Sequence, residues 1–210
     1  MKRLVYEDER FKFPFIAYVP EEINGKLPLV LQLHGAGEYG RGKEELVYVE
    51  RLGFAHLFEK EEFPCILVMP QCSSETFWPA QIPNLRIFMD QIEEEFEIDT
   101  DRVYLTGISM GGYGTWYMAL AYPELFAAIA PVCGGGMMWR ANVLTMPVWA
   151  FHGTEDEVTY PMESINMIHA IRKHSKEDVR LSLLDGVGHD AWVKAYGKEL
   201  IEWLLSKKKA

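Results

Sequence analysis

Leu105-Thr106-Gly107-Ile108-Ser109-Met110-Gly111-Gly112, read LTGISMGG, decides the fold. The apolar run Val103-Tyr104-Leu105 leads into it, and Tyr113 to Ala121, with helical spacing, leads out. A serine between glycines at such a strand-to-helix turn is either an activated nucleophile on an elbow or a small residue in a tight turn. The pattern is too short to separate the two readings, so the loops after the other strands must do it.

Further apolar runs have the composition of buried parallel strands: Leu29 to Leu33, Cys65 to Met69, Ala127 to Ala130, Val148 to Phe151 and Val179 to Leu184. Helical spacing is predicted between them over Ile82 to Phe96, Met162 to Ile171 and Tyr196 to Leu205, besides the segment after the elbow. This alternation implies an α/β fold with a mainly parallel central sheet flanked by helices. Arg10 to Val19, ahead of the turn Glu22-Ile23-Asn24-Gly25, reads as an edge strand, antiparallel to its neighbour.

At 210 residues, 49% hydrophobic and 13% aromatic, the chain can bury a substantial core, and one domain over 1–210 is expected. The 31 acidic against 21 basic residues leave a net charge of −10, the wrong sign for gripping phosphates. Nucleic acid and membrane surfaces are therefore not expected partners. Cys65, Cys72 and Cys133 are odd in number and lack metal-ligand spacing, so they read as buried or half-buried thiols. No apolar stretch follows the basic N-terminal residues, and no apolar run approaches membrane-spanning length, so the cytoplasm is the expected location.

In a parallel sheet, the loops leaving the C-terminal strand ends build the site. Four stand out: His34-Gly35-Ala36-Gly37-Glu38, the serine turn, His152-Gly153-Thr154-Glu155-Asp156, and Gly186-Val187-Gly188-His189-Asp190. A serine hydroxyl needs a base to take its proton as it attacks, and His189 can serve. An imidazole works best with a carboxylate fixing its tautomer, and Asp156 is the candidate, with Glu155, Glu157 and Asp185 the competing acids. The order Ser109, Asp156, His189 is the one a nucleophile elbow requires. Oxyanion donors are expected from the amides of Met110 and Ala36, with Gly37 next in line. Side chains at Gly107 and Gly111 would clash at the turn. His34 and His152 read as residues that stabilise their loops through hydrogen bonds.

The stretches LHGAGEYG, DRVYLTGISMGGYGTW, YPELFAAIAPVCGG, PVWAFHGTED and GHDAW together resemble the α/β-hydrolase superfamily. Within it, the chain is similar to the small phospholipase/carboxylesterase-like group that includes predicted peptidases and is related to feruloyl esterases and polyhydroxybutyrate depolymerases. The resemblance implies the same triad and oxyanion residues and adds a reaction, hydrolysis of carboxylic esters through an acyl-enzyme. The rivals are a thioesterase or peptidase on the same triad, and a silent binding module. Neither metal nor cofactor is expected, the expected partner is a small ester, and monomer and homodimer both stay open. Tyr39, Trp78, Met137 and Trp192 are the candidate pocket walls, with core packing the competing account for each. The short inter-strand segments predict a site with minimal or no lid.

Overall fold

The computed structural model describes residues 1–23 and 25–209; Asn24, in the expected turn, and Ala210 lie outside the described residues. Its strands are β1 Lys2–Tyr6, β2 Phe15–Val19, β3 Leu27–Leu33, β4 Ile66–Pro70, β5 Ile98–Ile108, β6 Ala128–Val132, β7 Val148–Gly153 and β8 Val179–Leu184. They form one sheet in the order β1-β2-β4-β3-β5-β6-β7-β8. From β4 to β8 all pairs are parallel, whereas β2 is antiparallel to both β4 and β1. The helices are α1 Ala55–Phe58, α2 Ile82–Glu95, α3 Met110–Ala121, α4 Met162–Arg172, α5 Trp192–Ala195 and α6 Lys198–Leu205.

Central strands are buried on both faces, which is why they read as unbroken apolar runs. Leu29, Leu31 and Leu33 of β3 point into the layer under α2, α3 and α4, while Val30 points into the layer under α1, α5 and α6. In α2 the residues Leu85, Phe88, Met89 and Ile92 recur at helical spacing and fill the first layer. Burying each such side chain contributes about 1.5–3 kcal/mol. Helix α3 lies nearest the sheet centre, and its glycines allow close approach: a Cβ on Gly107 would overlap the Gly111 carbonyl, and one on Gly111 the Leu33 carbonyl.

Two expectations for the N-terminus need correction. Arg10 to Pro14 is irregular, and the strand begins only at Phe15. β2 is also not at the edge, because β1 pairs along its outer side. β1 escapes a reading based on apolar runs because it is one-sided: Leu4 and Tyr6 turn inward, whereas Lys2, Arg3 and Val5 are exposed. At the other end, the expected helix from Tyr196 starts at Lys198, after Gly197 breaks it from α5. All three cysteines are buried and free, as expected. No helix among the described residues is long and apolar enough to cross a membrane.

The pairing Leu33 to Gly107 and Ile108 to Val132 levels the strand ends. The four loops singled out above therefore open on one side of the sheet.

Candidate active site

Ser109 follows β5 immediately and precedes the first residue of α3. Its backbone sits at φ 53 and ψ −112, a conformation that costs a non-glycine residue on the order of 1–3 kcal/mol. Three features hold it there: the amide of Ser109 donates to the Val132 carbonyl at 2.9 Å, the Ser109 carbonyl accepts from Tyr113, and the flanking glycines fit tightly against Leu33.

His189, five residues beyond β8, places Nε2 2.8 Å from Ser109 Oγ and Nδ1 2.7 Å from Asp156 Oδ2. The carboxylate partner is thus Asp156, which is buried, whereas Glu155, Asp185 and Asp190 are exposed. Oδ1 of Asp156 accepts the amides of Val158 and Thr159 at 3.0 and 2.9 Å. Burial pushes this carboxyl up, but the hydrogen bonds from His189, Thr159 and Val158 outweigh it and hold the group below the ordinary carboxylate value.

Ala36 and Met110 each begin a helical turn, so their amides have no acceptor within that turn. The two segments adjoin, since a Cβ on Gly35 would lie 3.7 Å from Ser109 Cβ. His34 fastens this loop. Its Nε2 accepts the Cys72 amide at 2.8 Å, so Nδ1 carries the proton and donates to the Gly35 carbonyl at 2.6 Å. Burial pushes the His34 imidazole down to about 4. Sequence reading missed Glu38, a buried acid in the same loop whose amide donates to the Gly35 carbonyl at 3.3 Å and whose carboxyl is pushed up by burial.

A pocket of about 410 Å³ opens beside Ser109, lined by Phe77, Pro79, Met110, Tyr113 and Tyr117. Of the expected walls, neither Tyr39 nor Trp192 is among the lining residues, though the Tyr39 hydroxyl donates to Met110 Sδ at 2.6 Å. Trp192 packs edge-on against the His189 ring at 5.3 Å. Trp78 is not a wall, because it is fully buried and its indole N–H donates to the His34 carbonyl at 3.0 Å. With Trp78 turned inward, its neighbours Phe77 and Pro79 face the pocket instead. Met137 is half-buried against the core and is not among the lining residues. Tyr113 and Tyr117 were legible in principle, as they stand four and eight residues after Ser109 and so share its face of α3.

Cys133 Sγ, an Asp156 oxygen and a His189 nitrogen lie within 4.8 Å of one another, the one such donor cluster among the described residues. It suits a metal poorly. Burial pushes the thiol up to about 12, so it stays protonated, and Asp156 and His189 are engaged with each other.

The BD-FAE family model matches residues 17–125, just over half of the chain. The bifunctional acetylxylan esterase/xylanase XynS20E of Neocallimastix patriciarum is 33% identical over 147 residues, 67% of this chain and 21% of that protein. The poly(3-hydroxyalkanoate) depolymerase C of Paucimonas lemoignei is 31% identical over 133 residues, 56% of this chain and 30% of that one. The chain thus matches only about a fifth to a third of the length of these curated relatives. The crystal structure of a thermostable esterase superposes with a TM-score of 0.82 at 28% identity, covering 99% of this chain and 63% of the other.

Proposed function

The chain belongs to the BD-FAE family and has an α/β-hydrolase fold, and from that premise we propose that residues 1–210 act as one catalytic domain, a serine carboxylesterase for short acyl or aryl esters. The observation that carries the proposal is the unbroken hydrogen-bond chain Ser109–His189–Asp156, with the serine held at positive φ.

Ser109 Oγ attacks the ester carbonyl while His189 Nε2 takes its proton, and Asp156 stabilises the imidazolium that forms. The developing oxyanion is held by the amides of Ala36 and Met110, the latter at the positive end of α3. His189 returns the proton to the departing alcohol, and water, activated by the same imidazole, releases the acid. The relatives named for acetylxylan and polyhydroxyalkanoate esters support an ester substrate. The apolar lining of the pocket favours an acyl group from acetyl to hexanoyl, or an aryl group stacked among Phe77, Tyr113 and Tyr117.

The test is a panel of p-nitrophenyl esters from acetate to hexanoate with methyl ferulate, beside a matched thioester and anilide. Ester turnover far above the other two is expected. An anilide rate equal to the ester rate would overturn the esterase reading in favour of a peptidase.

A further inference from the structure

His152 lies near the end of β7, four residues before Asp156, and its ring is fully buried. Nε2 faces two oxygens, the Thr159 carbonyl at 2.7 Å and Asp156 Oδ2 at 3.3 Å, while Nδ1 faces Ser164 Oγ of α4 at 2.8 Å. A nitrogen set between two acceptors carries the proton, so Nδ1 is the acceptor, facing a Ser164 hydroxyl that also has the Gly134 carbonyl within reach at 3.1 Å. Burial disfavours a second proton and holds this imidazole below its ordinary value.

Asp156 Oδ2 therefore has two imidazole nitrogens beside it, His189 Nδ1 hydrogen-bonded at 2.7 Å and His152 Nε2, whose own hydrogen bond goes to Thr159, in electrostatic contact at 3.3 Å. Together with the Val158 and Thr159 amides on Oδ1, the His189 bond makes three hydrogen bonds to the carboxylate, and His152 adds a close electrostatic contact at Oδ2. We propose that His152 is a positioning residue for the hydrolysis, set in one tautomer by the two oxygens at its Nε2 and holding Asp156 Oδ2 in line with His189 Nδ1. A mere staple of the loop would need only the Thr159 bond. The approach to Oδ2 adds an effect on the chemistry, because it draws off part of the carboxylate charge that would otherwise all face His189. The other titratable groups facing this pair are Cys133 at the end of β6 and Tyr113 on α3; burial pushes both up, so neither titrates in acid.

The inference rests on the esterase reading, and its test keeps the two apart. kcat and KM on p-nitrophenyl acetate are measured across the acid limb for wild type, His152→Ala and His152→Gln. The His152→Ala variant is expected to lose about 10- to 100-fold in kcat with KM little changed. Its acid limb should move to higher pH, because Asp156 then holds the imidazolium of His189 more tightly. Gln, whose amide N–H reaches the same place, should restore most of the rate. Wild-type kcat and acid limb in a folded His152→Ala protein would overturn the proposal and leave a structural staple. If that variant does not fold, the pair His152→Gln and His152→Asn decides: a lower kcat at constant KM in the shorter His152→Asn, with His152→Gln near wild type, supports the proposal, and wild-type kcat in both overturns it. A wild type inactive on every ester would end the esterase reading and this proposal together.

Discussion

The two ends of the parallel strands handle charge in opposite ways. At the C-terminal ends, His34, His152 and Asp156 are buried with their nitrogens and oxygens engaged at set distances, and Ser109 is held in a strained backbone. At the N-terminal ends of β6, β7 and β8 lies a hollow of about 550 Å³, larger than the one beside Ser109. There Asp178 takes Arg180, Trp203 and Lys207 at 2.7 to 2.9 Å, but all the charged partners are partly open to solvent. Cavity size alone would point to the wrong end. Fixed, desolvated polar groups point to the end where preorganised charge can act on a substrate.

The contrast is broken most sharply at the serine. Ser109→Ala should lower kcat/KM on p-nitrophenyl acetate by at least about 10⁴-fold, since the triad acts as a unit. Asp156→Asn, which keeps the shape but not the charge, should cost about 10³- to 10⁴-fold in kcat, while Glu155→Gln, at an exposed neighbour, should leave the rate near wild type.

The buried end should also govern acid stability. The His34 imidazole, ordinarily near 6.5, sits at about 4 in the folded chain, so the unfolded chain binds the extra proton. Its contribution is complete above pH 6.5 and is lost as pH falls from there towards 4, roughly 3 kcal/mol in all. Urea unfolding across that range should show the slope, and His34→Asn should reduce it, leaving the part owed to His152, which burial also holds below its ordinary value. At the other end, Asp178→Asn should cost no more than about 1 kcal/mol, shrink with added salt, and leave kcat untouched.

How much of this was legible depends on which residues carry a local signature. The hydrogen-bonded trio Ser109, Asp156 and His189 was readable because each follows an apolar run whose end the parallel topology brings to the others, although the last run, β8, is a half-exposed edge strand and not the buried one its composition predicts. β1 was not, because its inward residues Leu4 and Tyr6 alternate with exposed ones beside a charged segment. Trp78 was misread because sequence gives residue type but not direction: its indole N–H found the His34 carbonyl, and Phe77 and Pro79 took the pocket. The second contact on Asp156 was hidden for the same reason, since His152 and Asp156 meet only once the turn through Thr159 folds back on β7.

The most direct measurement is labelling with a fluorophosphonate followed by mass analysis of the intact chain and its peptides, because only an activated serine reacts. The expected result is a single adduct on the peptide carrying Ser109, absent from Ser109→Ala. A folded wild-type protein that stays unlabelled, or that carries the label on a different serine, would contradict the assignment of Ser109 as the nucleophile.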